Sequence, residues 1–490
     1  MTEPIPQSDT SETEKKSFGR DVGKLVSGTM VAQVVAICLT PIITRIFNPE
    51  IYGVASVFTS IVSIIVVIAC MRYELAILLP KDDKDAGAVF LLCLIILVCV
   101  SLVCVPVMFL CGDWIAGLLG NSAVAEYLFL VPVAVFIDGL YLALRYWNTR
   151  RKRFGTQAVT QALQSVSANS LRFGFGTAGW VVPGALIGGQ VIGQGIGTVI
   201  LARQMLKNDL TLILGSFSPG NIKQQMVRYK KFPLIDTWSA FINTVSWQMP
   251  VLMLTGFFSS TVAGLYTLGF QMIQLPMSFI GSSISQVFFQ RSAAAKDDGT
   301  LNRLVESVSE ILLVVSICPA VLLLASGGTL FSFVFGSEWQ GAGVFCQILA
   351  IWAIAWFISS PLSTLTSVLE IQGFGLKITT LNLVTRIISL AIGGIVGNVL
   401  LALVLFALSG IAVYGIQLLY LYKKISVSTT AVIYRIWKWV LLSILMSFGV
   451  FTAVFFNVPD MCIFVLVCIC AAVYYGLLFL KNKEVKSYLR

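Results

Sequence analysis

Long apolar runs, separated by short polar intervals, dominate the chain. The stretches 86–112, 173–202, 237–290, 311–337, 339–369, 387–422, 439–459 and 461–480 contain no Asp, Glu, Lys or Arg. A helix that crosses a hydrocarbon core needs about 20 apolar residues at about 1.5 Å rise each, so every one of these stretches is long enough. Two of them are too long for a single helix, and the pattern predicts breaks at FFSSTVAG (257–264) and at Gly397-Asn398. With the less pure segments added, fourteen helices are expected, near 22–46, 52–79, 86–111, 122–146, 156–176, 180–206, 232–258, 262–290, 303–335, 340–369, 374–396, 399–422, 434–456 and 460–480.

Polar residues inside these spans recur at helical spacing, which places each set on one side of its helix. The sets are Ser56, Ser60, Ser63 and Glu74; Gln157, Gln161, Gln164 and Arg172; Asp236, Ser239, Asn243 and Ser246; Thr267, Gln271, Gln274, Ser278 and Ser285; Trp352, Trp356, Ser359, Ser363, Thr366 and Glu370; and Asn382, Arg386 and Ser389. Each set alone fits polar contacts between packed helices. Six sets, present in both halves of the chain, predict a shared hydrophilic cavity. The last two helices carry no Asp, Glu, Lys or Arg between Trp439 and Val458 or between Met461 and Leu480, so they are expected at the lipid-facing periphery.

Composition agrees with a polytopic membrane protein. Of 490 residues, 57% are apolar and 11% charged, against about 25% charged in a soluble protein, and the mean hydropathy is +0.89. The chain has no histidine, which excludes Ser-His-Asp and Cys-His catalysis, histidine-ligated metals and histidine pH sensing. No cofactor or metal is implied. The eleven cysteines form no C-x-x-C pair, and Cys38, Cys70, Cys93, Cys99, Cys104, Cys318 and Cys346 fall in apolar runs, where they read as small buried hydrophobes. Residues 1–21 read as a disordered cytoplasmic tail without a cleavable signal.

The net charge of +10 first suggests nucleic acid, but its placement argues for topology. Lys15, Lys16, Arg20 and Lys24, then Lys81 and Lys84, Arg150–Arg153, Lys207–Lys231, Arg291–Arg303, Lys377, Lys423–Lys438 and Lys481–Arg490 recur in every second connection. The alternate connections near 113–121, 177–179, 259–261, 337–338, 397–398 and 457–460 have neither Lys nor Arg, and only Arg45 sits at an outer helix end. Cytoplasmic loops are enriched in these residues, so both termini are expected in the cytoplasm and anionic lipids are the expected partners of the basic loops. Within the spans or at their ends remain Arg45, Arg72, Arg145, Arg172 and Arg386. A charge at mid-bilayer costs about 2.5–3.5 kcal/mol on insertion scales, so it pairs or lines water. Arg386 is the clearest case, lying near the middle of its helix.

Two segments echo each other: QVVAICLTPIITRIFNPEIYGVASVFTS (33–60) and FINTVSWQMPVLMLTGFFSSTVAGLYTLGFQ (241–271). Their offset of six helices, an even number, implies parallel repeats about an axis along the membrane normal. Pro41, Pro106, Pro132, Pro250, Pro276 and Pro319 are the expected bend points. The segments 25–61, MRYELAILLP (71–80), YWNTRRKRF (146–154) and 228–290 resemble the bacterial polysaccharide-biosynthesis flippases of the multidrug/oligosaccharidyl-lipid/polysaccharide (MOP) exporter superfamily.

That resemblance implies an all-α, MATE-like fold of fourteen transmembrane helices, with two six-helix lobes and two C-terminal helices. The expected divisions are a tail at 1–21, lobes at 22–206 and 232–424 joined by a basic cytoplasmic linker at 207–231, helices 13 and 14 within 434–480, and a basic tail at 481–490. It also implies a transporter rather than an enzyme, in the bacterial inner membrane. The cargo would be an undecaprenyl-diphosphate-linked oligosaccharide, carried to the outer leaflet by alternating access for O-antigen, capsule or exopolysaccharide. Its lipid tail would slide along a lateral gap, with helices 13 and 14 as the candidate groove. H+ or Na+ and the polysaccharide polymerase machinery are further candidate partners.

Arg386, Arg172 and Arg72 are the candidates for the diphosphate, because guanidinium forks match phosphate oxygens. Gln161, Gln164, Asn243, Gln271, Gln274 and Asn382 are the candidates for sugar hydroxyls, and Trp352 and Trp356 for stacking on sugar rings. Asp138, Asp236, Glu74 and Glu310 are the candidates for a coupling ion. The alternatives are a cation-coupled multidrug exporter on the same fold, a lipid II-type precursor flippase, and, less compatible with the short outer loops, a polymerase, a ligase or a channel.

Overall fold

A computed structural model describes residues 30, 32–276 and 282–481, and all regular secondary structure among them is helical. The tail 1–21, Lys24, Ser278, Lys483, Lys486 and Arg490 lie outside the described residues. The chain divides into two compact units: one comprises residues up to Phe47 together with Val57–Thr244, the other Asn48–Ser56 together with everything from Val245.

The first unit holds α1 (Ala32–Ile46), most of α2 (Pro49–Ala69), α3 (Tyr73–Ala76), α4 (Asp83–Leu118), α5 (Ser122–Leu128), α6 (Val131–Arg150), α7 (Phe154–Thr177), α8 (Pro183–Gly215) and α9 (Pro219–Arg228). Asp82 starts α4, its side chain accepting from Lys84 N at 3.1 Å, as a carboxylate does at a helix N-terminus. The expected bend at Pro132 is present: α5 and α6 meet at 57°, with this proline in the first turn of α6. Helix α8 runs nine residues past its expected end at 206 because Asp209, which the sequence pattern assigns to the linker, is buried and neutralised there. Glycines let α7 and α8 approach closely. A Cβ on Gly193 would lie 2.7 Å from the Ala168 Cβ.

The second unit begins within α10 (Thr237–Phe257), which follows a π turn at Phe232–Asp236. It continues with α11 (Ser260–Pro276), α12 (Ser282–Asp297), α13 (Leu301–Phe335), α14 (Gln340–Leu362), α15 (Leu365–Val368), α16 (Gln372–Val396), α17 (Val399–Ile425), α18 (Thr429–Phe455) and α19 (Asp460–Lys481). Both predicted breaks in the uncharged stretches occur. Gly397 adopts a left-handed φ of 73° between α16 and α17, and Asn398 caps the new helix through Leu401 N at 3.0 Å. The first eight residues of α2 belong to this unit because Gly53 and Gly264 meet backbone to backbone. A Cβ on Gly53 would stand 1.8 Å from the Ser260 carbonyl oxygen, and one on Gly264 would stand 1.9 Å from that of Pro49.

Helix α13 is the buried centre of its unit, with 61% of its most apolar window enclosed, against 17% for α18 and for α19. The terminal pair is therefore peripheral, and it packs on α13 through Ile436, Val450, Ile463 and Tyr474. Cys38 and Cys99 are exposed rather than buried, the other five named cysteines being buried. Apolarity in a membrane chain is equally compatible with a lipid-facing position, and α4 shows this with Leu102, Phe109 and Leu110 all well exposed. Among the described residues nine helices are long and apolar enough to cross a membrane, or ten with α5 and α6 as one bent span. Helices α1, α7, α10 and α11 fall outside that set. They are short or rich in Gln, Asn, Ser and Thr, so a count of fourteen rests on periodicity and charge placement rather than on hydropathy.

Candidate functional site

In the first unit, α2 ends at Ala69 and the chain turns through Met71 and Arg72, with φ of 47° and 61°. Left-handed backbone at two successive non-glycine residues costs about 1–3 kcal/mol each and persists where surroundings enforce it. The turn places the buried Glu74 carboxylate 3.7 Å from Arg72, whose Nε lies 3.5 Å from Asp236 at the end of the π turn. Three candidate residues from distant parts of the sequence therefore form one cluster. Glu74 lies in the connection beyond α2, outside the spans. Burial raises its carboxyl to about 7, with Asp236 adding to the rise and Arg72 opposing it. Among the described residues the Glu74 Oε2 has no hydrogen-bond partner.

A second network at the same end is built from the RRKR run. Arg150 donates to Asp83 and to the carbonyls of Ile77 and Pro80, and Arg151 donates to Asp83 at 2.8 Å. Arg153 grips Asp209 with both terminal nitrogens, at 2.7 and 3.1 Å. Trp147 Nε1 donates to the same carboxylate at 3.0 Å. Three of the four cations thus face inward onto acids, and Lys152 alone of the run is exposed. Asp209 was hidden from sequence reading by its basic surroundings. As the lone acid between Lys207 and Lys231 it carried a signal.

The polar face of α7 largely binds helix to helix. Arg172 donates to Gln190 Oε1 at 2.9 Å and to the Leu186 carbonyl at 3.3 Å, both on α8. Gln157 donates to the Arg145 carbonyl and to Thr149 on α6. Gln161 and Gln164 are half-buried, as is Asp138 on α6. Between α6 and α8 lies a groove of about 590 Å³, lined by Ile137, Leu140, Ile192, Ile196 and Val199.

In the second unit Arg386 is 2% exposed. It donates to the carbonyl and the hydroxyl of Ser246 at 2.9 and 3.1 Å and to the Tyr414 hydroxyl at 3.2 Å. Its guanidinium carbon lies 4.3 Å from the centre of the Trp247 ring and 5.5 Å from that of Phe406. A guanidinium over aromatic faces is attracted by the ring quadrupole. Trp352 and Trp356 stack at 5.4 Å within this aromatic wall and are buried, so both pack against protein rings. Asn382, one turn from Arg386, is buried with its Oδ1 lacking a partner. Gln271 accepts from the Tyr52 hydroxyl at 3.1 Å, whereas Asn243 and Gln274 are exposed. Glu310 lies 3.7 Å from Arg435 at the start of α18, and Glu306 meets the same guanidinium. Tyr414 and Tyr475 were absent from the sequence-derived candidates, since an aromatic in an apolar run gives no sign that its hydroxyl has a task.

Helical units of this kind, with polar and charged groups enclosed among long apolar helices, define an all-α polytopic membrane protein. Solved structures share the fold. A lipid II flippase, MurJ, in an inward closed conformation aligns with a TM-score of 0.71 at 12% identity, covering 94% of this chain and 99% of that one. A multidrug resistance MATE family transporter in an inward-facing conformation aligns with a TM-score of 0.62 at 14% identity, covering 82% and 93%. The succinoglycan biosynthesis transport protein ExoT of Rhizobium meliloti (strain 1021) is 23% identical over 383 residues, which is 75% of this chain and 72% of that protein. The sequence model of the polysaccharide biosynthesis protein family matches residues 42–344, and the chain belongs to that family.

Proposed function

We propose that this protein flips an undecaprenyl-diphosphate-linked oligosaccharide from the cytoplasmic to the outer leaflet of a bacterial inner membrane by alternating access, with fourteen spans and both termini inside. The observation that carries this reading is the family match over residues 42–344. The likeness in fold to a lipid II flippase supports it. Arg72, 29% exposed and held in a strained turn, is the residue best placed to attract a diphosphate from the basic side. Asn243 and Gln274, being exposed, and Gln161 and Gln164, half-buried, are proposed to meet sugar hydroxyls. Glu74 and Asp236 are proposed to carry any coupling ion, because both face Arg72 and one of them has an unfilled oxygen.

Deletion of the gene tests this. The expected result is a build-up of lipid-linked glycan on the cytoplasmic leaflet, restored to normal by the intact chain. A strain that displays its glycans normally but becomes sensitive to cationic dyes would instead establish the multidrug reading, which the MATE likeness in fold favours.

A further inference from the structure

A proline inside a helix has no N–H, so the carbonyl four residues before it loses its partner, and that loss is costly where no water can replace it. In α10 the proline is Pro250 and the freed carbonyl is that of Ser246. The group that takes this carbonyl is the buried Arg386, at 2.9 Å from α16. The same pairing occurs a second time. In α13 Pro319 frees the carbonyl of Val315, and the Tyr475 hydroxyl of α19 donates to it at 2.9 Å. Among the described residues no side chain takes the corresponding carbonyls of Leu102, before Pro106, or of Phe357, before Pro361. Of these four prolines inside helices, the arrangement is therefore particular to Pro250 and Pro319.

We propose that Arg386 is a positioning residue that holds α10 together at Pro250 by donating to the Ser246 carbonyl, and that it acts on transport through this helix and not by touching cargo. Three observations converge on it. Arg386 is enclosed, its terminal nitrogens are committed to Ser246 and Tyr414, and Trp247, the neighbour of Ser246, lies across its guanidinium. A buried donor that needs acceptors and a buried acceptor that has lost its donor satisfy each other. Ser246 stands two residues after Thr244, where the chain leaves one compact unit for the other.

The transport half of the test rests on the flippase reading above, whereas the stability half does not. Arg386→Met, Arg386→Lys, Pro250→Ala and the double variant Pro250→Ala/Arg386→Met are compared by the heat-unfolding midpoint of the purified protein and by surface glycan in a deletion strain. Arg386→Met is expected to lower the midpoint, as loss of a hydrogen bond from a charged donor does, and to reduce glycan display about tenfold. Pro250→Ala restores an N–H for the Ser246 carbonyl, so the double variant is expected to recover most of both losses. Arg386→Lys, which keeps a donor, is expected to fall between. Equal losses with and without Pro250 would overturn the proposal, because a residue that binds cargo or merely fills space gains nothing from that N–H. If Arg386→Met yields no folded protein, folded protein on adding Pro250→Ala supports the proposal, and its continued absence overturns it. If glycan display proves unrelated to this chain, the midpoint comparison decides alone.

Discussion

At the scale of single residues, Asp209 and Glu74 show how differently two buried acids are treated. Asp209 faces Arg151, Arg153 and Trp147. Removing one partner of a buried ion pair leaves the others uncompensated, at about 3–5 kcal/mol. Because the two arginines are 24% and 19% exposed, Asp209→Ala is expected at the low end, about 3 kcal/mol, read as a reduced unfolding midpoint. Among the described residues Glu74 has a single ion-pair contact, at 3.7 Å. With its carboxyl raised to about 7, the folded chain keeps a proton that the unfolded chain has already lost above the ordinary carboxylate range. Stability must then fall as pH rises from that range through 7. Glu74→Gln is expected to flatten this slope in midpoints measured from pH 5 to 8, and no histidine is present to mimic the effect. Sequence alone singled out Glu74 and Arg386 as charges within expected spans; Arg386 lies in α16, whereas α2 ends at Ala69, ten residues short of its expected end, and leaves Glu74 beyond it. The sequence did not reveal that Arg386 serves a backbone carbonyl, because that partner lies 140 residues away and carries no side-chain signature.

At the scale of elements, helix ends and breaks were the most legible features. Gly397-Asn398, FFSSTVAG and Pro132 each mark a change of direction, since glycine, serine and proline act locally on the backbone. Helix lengths were less legible where tertiary pairing extends a helix through polar residues, as Asp209 does for α8. The terminal pair illustrates the limit of composition. It carries no charge between Trp439 and Val458 or between Met461 and Leu480, yet α19 reaches α13 by two tyrosine hydroxyls, Tyr474 to the Val314 carbonyl at 2.7 Å and Tyr475 to that of Val315. Tyr475→Phe keeps the ring and removes one hydrogen bond, so it is expected to cost about 1 kcal/mol. Hydrogen exchange should show faster opening of α19 and of the middle of α13, with α7 and α8 unchanged.

At the scale of the whole molecule, the proposed topology rests on charge placement and not on hydropathy, because α7 and α10 hold too many polar groups to pass as ordinary spans. Single cysteines on a background without the native ones test the proposed orientation. Lys223→Cys is expected to react with an impermeant maleimide only from the cytoplasmic side, and Asn398→Cys only from the outside. The sequence shows two echoing segments, each with a mid-span proline and a glycine near the start of the next helix, but not that the two glycines meet. Gly53 and Gly264 occupy equivalent places, and so do Pro49 and Ser260, with an offset of 211 residues in both cases. Each glycine faces the main-chain oxygen of the other pair. This contact has a genetic consequence. Clashes between side chains can be relieved by a second-site suppressor that trims the opposing residue, but here the opposing group is backbone and offers nothing to trim. Saturation mutagenesis is therefore expected to return glycine alone at both positions, and selection for suppressors on the facing helix is expected to come back empty.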